Sequence, residues 1–441
     1  VDGAGKALAP GFIDTHSHDD AHLSAHRDAL SAVSQGITTV IVGQDGGASM
    51  PLGRLWDTLG KAPVALNVAS YAGHNSIRSA VLGENFRRKA TAKEVDSMAV
   101  LLRHEMGAGA LGLSSGLEYD PGIYSDPSEV LALAKVAADS GGRYISHIRS
   151  EDRWFWQAID EIITIGRVAK LPVQVSHMKL AMRPLWGQAD SLLAKLDAAR
   201  AAGVNITADV YPYTFWQSTL TVLFPTRDFA DRAEAEKVLR EIAAPEGLLL
   251  SAFAPETTYV GKTVAEIAKI RHTDAATTLM ALIKESQAYG KAHPENENVE
   301  GVIATSMEEA DVAKLIAWPH TNICSDGALV DRHPRGIGTY PKVLGRYVRE
   351  QKLIPLEEAI RKMSGLAATN VGLKRRGEIR PGNFADLVLF DPATVTDRAT
   401  PLEPRRLSEG VLRVWVNGAM VFADGKATGA YPGRVIRRGD H

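Results

Sequence analysis

Imidazoles and carboxylates recur in this chain where a metal could use them: His16-Ser17-His18, Ser146-His147, Ser176-His177 and Ser325-Asp326 each close a short apolar, β-branched run. In extended backbone, side chains two residues apart share a face, so His16 and His18 are expected to hold one ion together. One His-x-His pair is weak; four runs ending in ligand-type residues make a metal centre the expected chemistry. Imidazole nitrogens and carboxylate oxygens are ligands that Zn²⁺ accepts, and water held by such an ion ionises near pH 7. One or two zinc ions per chain are expected, on His16, His18, His147, His177 and Asp326. Asp326 is also the expected acid/base, taking the water proton and passing it to a leaving nitrogen, which makes amide hydrolysis the expected reaction. Its bland alternative is a turn, since Ser-Asp-Gly is also turn chemistry. Glu118, in Gly112-Leu-Ser-Ser-Gly-Leu-Glu-Tyr-Asp-Pro-Gly122, is expected to bridge two metals. Asp45, in Gly43-Gln-Asp-Gly-Gly47, competes for that role.

The elements that must position these residues alternate from the start. Strands are expected at 11–18, 37–42, 64–71, 110–115, 144–147, 173–177, 205–211 and 322–326, with helices at 28–35, 92–106, 128–140, 154–169, 189–202 and 306–317. Such alternation predicts an α/β fold, a (β/α)8 TIM-like barrel, whose active residues stand at the C-terminal ends of the strands. The barrel is expected over 10–376, with an insertion at 214–300 between its seventh and eighth strands. That insertion opens on Phe215-Trp216-Gln217 and is expected to cover the pocket. After a helix at 356–368 the pattern changes to short alternating strands, so a small β-sandwich domain is expected from 377–441 together with a strand from 1–9.

Composition narrows the partners. The 441 residues carry 50 Lys plus Arg against 52 Asp plus Glu and a single cysteine, Cys324. A net charge of −2 with no basic run gives no reason to expect nucleic acid, and no apolar run approaches the ~20 residues of a spanning helix. A small-molecule substrate is the expected partner, and self-association into a homo-oligomer is left open. One cysteine excludes an internal disulfide and fits a reducing, cytoplasmic home, with a periplasmic one left open. Because the chain opens at Val1 with neither Met nor leader, a further N-terminal segment carrying additional sheet strands is expected.

Gly11-Phe-Ile-Asp-Thr-His-Ser-His18, the single imidazoles at 147 and 177, Asp326 and the closing Gly377-Glu-Ile-Arg-Pro-Gly-Asn-Phe-Ala-Asp386 resemble the amidohydrolase superfamily over nearly the whole chain. Within it, Gly73-His-Asn75, Ser146-His-Ile-Arg-Ser-Glu151, Ser176-His-Met-Lys179, Asp209-Val-Tyr-Pro-Tyr213 and His333-Pro-Arg-Gly-Ile-Gly-Thr-Tyr340 are similar to the N-acyl-D-amino-acid deacylases, or D-aminoacylases. The resemblance implies zinc-dependent hydrolysis of the N-acyl bond of an N-acyl-D-amino acid to a carboxylate and a free D-amino acid. It further implies that Lys179, Tyr211 and Arg335 hold the substrate α-carboxylate and that Tyr119 and His74 touch the scissile carbonyl. One departure stands out. That family carries a metal-binding Cys in Gly-Asn-Cys-Gly, where this chain reads Gly43-Gln-Asp-Gly46, and an apolar residue where this chain has Glu118. Compensation of the lost thiolate by Glu118 is the expectation. A dipeptidase for C-terminal D-residues and a cyclic-amide hydrolase of the dihydropyrimidinase or hydantoinase kind are the alternatives.

Overall fold

Buried parallel strands form the centre of the molecule in the computed structural model, which describes residues 3, 5–296, 298–330 and 332–440. After an outer strand β1 (Ala7–Pro10), the chain lays down β2 (Phe12–Asp14), β3 (Ile37–Val42), β4 (Asn67–Ser70), β5 (Ala72–Gly73), β6 (Gly112–Gly116), β7 (Arg143–His147), β8 (Val173–Val175) and β9 (Ile206–Val210). An insertion supplies β10 (Phe215–Ser218), β11 (Leu248–Phe253) and β12 (Glu300–Thr305) before β13 (Thr321–Ile323). The parallel ladders are β2-β3-β4 and β5-β6-β7-β8-β9-β13. They join at both ends. Leu111 N donates to Ser70 O at 2.9 Å on one side, and on the other Asp326 N donates to His16 O (2.9 Å) and His18 N to Gly327 O (2.8 Å). With β4 and β5, separated only by Tyr71, taken as one position, eight strand positions close into a ring, and every residue of β3, Ile-Thr-Thr-Val-Ile-Val, is buried, as strands covered on both faces require.

Helices cross over between these strands with clear local signals. Thr91 and Glu94 form a reciprocal capping box on the helix Ala92–Gly107, and Asp126 caps Pro127–Asp139, where Pro occupies the first helical turn. The strands are shorter than expected: β2 ends at Asp14, β8 at Val175 and β13 at Ile323. His16, His18, His177 and Asp326 thus stand on the loops beyond the strand ends, and the shared strand face expected for His16 and His18 is not what aligns them.

The insertion folds on its own antiparallel sheet, β10-β12-β11, and carries the helices Arg232–Glu241, Val264–Arg271 and Ala275–Ala292. It is pinned over the ring by two arginines. Arg227 donates to Glu118 O at 2.7 Å and to Asp120 Oδ1 at 3.1 Å, and Arg153 pairs with Glu234 at 2.6 Å. The C-terminal strands β14 (Leu387–Phe390), β15 (Val411–Val416), β16 (Ala419–Ala423) and β17 (Lys426–Ala427) join β1 in one five-stranded antiparallel sheet, order β1-β14-β15-β16-β17. Among the described residues these strands form a single sheet where a sandwich was expected; Val1, Asp2 and Ala4 of its expected first strand lie outside the described residues. Asp386 ties the sheet to the ring, accepting from Arg376 Nη1 and, at 3.3 Å, from Asn67 Nδ2. Among the described residues no helix is long and apolar enough to cross a membrane.

Candidate active site and metal centre

At the ring's C-terminal end four loops converge on one carboxylate. Asp45 Oδ1 lies 3.3 Å from both His16 Nε2 and His177 Nε2, and its Oδ2 lies 3.5 Å from His18 Nε2. Asp326 Oδ1 faces the first pair as well, 3.4 Å from His16 Nε2 and 3.2 Å from His18 Nε2. His147 Nδ1 stands 3.1 Å from His177 Nε2. Three groups follow whose potential ligand atoms lie within 4.8 Å of one another: His16, His18, Asp45 and Asp326; Asp45, His147 and His177; and Glu118, His147 and Glu151. The first two share Asp45. Fully buried, His16 has a hydrogen bond at neither ring nitrogen, the condition of a ligand rather than of a packed core residue. The donor set is thus suited to zinc.

The backbone here is held in an uncommon conformation. Asp45 (φ 51°), His177 (φ 33°) and Asp326 (φ 51°) all adopt positive φ, a region few non-glycine residues enter and one that concentrates at functional sites. Buried hydrogen bonds enforce it. Gln44 Nε2 donates to Thr15 O (2.9 Å) and Ile41 O (3.1 Å), fixing the loop of Asp45. Asp209, inside β9, accepts from His177 N and from Gln174 Nε2 (2.6 Å), and Asp14 accepts from Ser325 N (2.8 Å) and Ser325 Oγ. Cys324 lies below the site, as its place two residues before Asp326 suggests, with its Sγ 3.3 Å from Asp209; burial pushes its thiol well up.

Charge compensation sets the ionisation. Burial opposes the charged form of Asp326, but the Arg335 guanidinium and the rings of His177 and His16 outweigh it and hold the carboxyl well below the usual range. Asp45 is likewise held well below it against burial, by His16 and His177. Burial and Lys179 oppose protonation of His177, yet Asp326, Asp45 and Glu151 raise it to about 10.

Glu118 is not where the bridging expectation required it. Its Oε2 meets only His147 Nε2 among the imidazoles, at 2.9 Å, while its Oε1 accepts from Glu151 N at 2.8 Å. The position between the two imidazole pairs belongs to Asp45. The physical reason is the loop after β3, which folds in and puts the carboxylate at the centre, whereas Glu118 approaches from the β6 side.

Lys179 and Arg335 both line the cavity, but each has a carboxylate partner. Lys179 Nζ donates to the two oxygens of Glu151 at 2.7 and 2.8 Å and lies 2.7 Å from His177 Nδ1. Arg335 Nη1 donates to Asp326 Oδ2. Tyr211 is buried between these cations, its ring centroid 5.0 Å from Arg335 Cζ and 5.6 Å from Lys179 Nζ, and its hydroxyl has no hydrogen bond. Tyr119 lines the cavity, its ring 4.4 Å from that of His147. His74 does not. It begins the helix His74–Leu82, is fully buried and gives Nε2 to Glu129 at 2.8 Å, beside the Arg78–Glu129 pair. Its expected contact with a scissile carbonyl is therefore corrected to a packing role.

Sequence reasoning missed Glu151, Asp209 and Asp14 as parts of the site. The signal for the last two was a carboxylate inside an otherwise apolar run, and Glu151 stands four residues after His147. A cavity of about 560 Å³ opens over the cluster, and the insertion closes one side of it with Trp216, Gln217, Val222, Leu223 and Ile242.

The chain is similar to known proteins over nearly its whole length. Residues 1–321 and 310–422 match the amidohydrolase family. The whole chain is 37% identical to an N-acyl-D-aspartate deacylase of Alcaligenes xylosoxydans xylosoxydans, spanning 87% of that protein. A solved D-aminoacylase with a binuclear metal center has a TM-score of 0.85 at 34% identity, over 98% of this chain and 90% of the other. An N-acyl-D-glutamate deacylase from Bordetella bronchiseptica, complexed with zinc and a phosphonate mimic of the reaction's tetrahedral intermediate, has a TM-score of 0.87 at 34% identity, over 99% and 90% of the two chains.

Proposed function

Because the chain belongs to the amidohydrolase family, within its D-aminoacylase group, we propose that it is a zinc-dependent N-acyl-D-amino-acid deacylase, releasing a carboxylate and a free D-amino acid. The observation that carries this reading is Asp45, whose carboxylate is common to two groups of imidazoles at the floor of a covered cavity. The finer organisation we adopt is a (β/α)8 barrel of the metal-dependent hydrolase type over 10–376, a lid at 214–300 and a β domain built from 1–9 and 377–441.

In this reading His16, His18, Asp45 and Asp326 would hold one zinc ion and His147 and His177, with Asp45, a second, Glu118 standing beside His147. Bound zinc supplies Lewis acidity toward the amide carbonyl and lowers the pKa of water to about 7. The protein's own groups do the rest. Arg335 keeps Asp326 ionised, so Oδ1 accepts a proton and delivers it to the departing nitrogen. Arg335 also meets the substrate α-carboxylate, with Tyr211 buried alongside it. The Tyr119 phenol donates to the carbonyl oxygen as negative charge develops there. Trp216 and its neighbours on the insertion exclude water from the reacting centre.

The test is a panel of N-acetyl D- and L-amino acids assayed with the zinc-loaded and the chelator-treated protein. Hydrolysis confined to the D-series and to the zinc-loaded protein is expected. Equal hydrolysis of both series, or none of either, would remove the reading.

A further inference from the structure

Arg335 is held from two directions, and one of them ties it to the insertion. It opens the helix Arg335–Lys342, so its backbone N–H is one of the donors that no earlier carbonyl of that helix can satisfy. His333 supplies the acceptor: Arg335 N donates to His333 Nδ1 at 3.0 Å. The other ring nitrogen, Nε2, donates to Phe215 O at 2.9 Å, and Phe215 is the first residue of β10. A ring nitrogen that accepts carries no proton, so the proton of this imidazole stands on Nε2 and both bonds fit only the neutral form. Burial, and then the charge of Arg335, hold the His333 pKa well below the ordinary histidine range.

Ring contacts hold the imidazole in that orientation. His333 is 1% exposed and stands among Phe215, Tyr213 and Tyr211, with ring centroids 4.7, 5.3 and 6.2 Å away. Tyr213 adds a second tie, its hydroxyl donating to Pro334 O at 3.4 Å. The turn that carries Arg335 is thus docked on the segment that leads from β9 into the insertion. Trp216, the residue after Phe215, lines the same cavity as Arg335, whereas His333 itself does not line it. A side chain as long as arginine is placed by its two ends: Asp326 engages the guanidinium and His333 the backbone. One imidazole therefore joins the backbone of the arginine to the strand that carries the insertion's side of the cavity.

We propose that His333 is a positioning residue for the deacylation: by bonding Arg335 N and Phe215 O at once, it sets the place of the substrate-binding guanidinium relative to the insertion at Trp216. It acts through Arg335 and touches no reacting group. A misplaced Arg335 would loosen the substrate α-carboxylate and, through Asp326, the proton acceptor together. This rests on the deacylase reading and adds to it a residue that contacts neither a bound ion nor the substrate.

The experiment uses the full zinc-loaded chain with the N-acetyl-D-amino acid that it hydrolyses fastest. His333→Phe keeps a ring among the same aromatic neighbours but removes both hydrogen bonds, and it should lower kcat/KM about 100-fold, the cost of misplacing a group by ~1 Å. His333→Asn gives up the ring yet offers an amide oxygen to the backbone N–H two residues on, as asparagine does in turns, and should fall only about tenfold. A residue that merely fills space would give the reverse order, and that order, or a native kcat/KM in either variant, would overturn the inference. Each variant is also combined with Arg335→Lys. Because His333 acts through Arg335, neither should lower kcat/KM in that background by more than about twofold, the limit of independent behaviour. The same loss in both backgrounds would overturn the inference, and where His333→Phe does not fold, His333→Asn decides by this comparison. All of these results leave the deacylase reading intact. Absence of turnover of every N-acetyl-D-amino acid by the native chain would instead overturn that reading and this inference with it.

Discussion

Arg335 grips one oxygen of Asp326 while the other oxygen of that carboxylate faces His16 and His18. The guanidinium thus does two things at once: it keeps the carboxylate ionised and fixes which oxygen can accept a proton. Asp326→Asn retains the shape but can neither take a proton nor offer an ion an anionic oxygen. Turnover of an N-acetyl-D-amino acid should fall about 10²–10⁴-fold, while binding of the free D-amino acid, followed by calorimetry, persists. A variant with native turnover would remove Asp326 from the mechanism.

Asp45 and Glu118 make opposite predictions about metal content. Asp45 stands within 3.5 Å of three imidazoles, Glu118 within reach of one. Asp45→Asn should lose bound zinc, measured by elemental analysis of dialysed protein, whereas Glu118→Gln should retain most of it. The reverse result would return the bridging role to Glu118.

The ring order of the fold was legible because buried parallel strands are apolar runs separated by amphipathic helices, and each of the eight expected strands has its counterpart. The strand ends were not. Cys324 continues the apolar run past β13, and Ser176-His177 beyond β8 repeats the Ser146-His147 that still belongs to β7, so nothing local marks where the ladder stops and the loop begins to turn on a positive φ at His177 or Asp326. His16, His18, His147, His177 and Asp326, which the fold brings together, were readable because each ends or follows a strand. Asp45 was visible yet ambiguous, since Asp-Gly is ordinary turn chemistry and only the tertiary fold brings it between His16 and His177. His74 misled for the converse reason: its partner Glu129 lies 55 residues away on another helix. Spacing along the chain carries no trace of that pairing.

His74 and Arg78 share Glu129 in a buried cluster, Arg78 being fully buried and Glu129 2% exposed. Removing the carboxylate strands a buried guanidinium. Glu129→Gln should therefore cost about 3–5 kcal/mol of stability in urea unfolding. His74→Asn, which leaves the Arg78–Glu129 pair, should retain kcat/KM per folded molecule within about threefold, in keeping with the small effects of changes away from reacting groups. A hundredfold loss of kcat/KM in His74→Asn at unchanged stability would restore it to the active site.

Glu300, at the start of β12, offers a pH test of the insertion far from any metal-type ligand. Burial pushes its carboxyl up to about 7, against the opposing effect of the backbone N–H groups of Leu220 and Thr221. Both its oxygens lie 2.9 Å from Leu220 N. Between its ordinary pKa and 7 the folded protein binds more protons at this position than the unfolded chain does. Its contribution to stability is then fully present below about pH 4.5, and it is lost as pH rises through 7. Glu300→Gln cannot ionise, so it removes that dependence. The unfolding free energy of the native chain minus that of Glu300→Gln, measured from pH 5 to 8 with metal held constant, should decline with a slope of at most about 1.4 kcal/mol per pH unit and level off above 7. A difference that stays flat across that range would mean that Glu300 is ionised in the folded protein throughout, and that the backbone donors at Leu220 and Thr221 outweigh its burial.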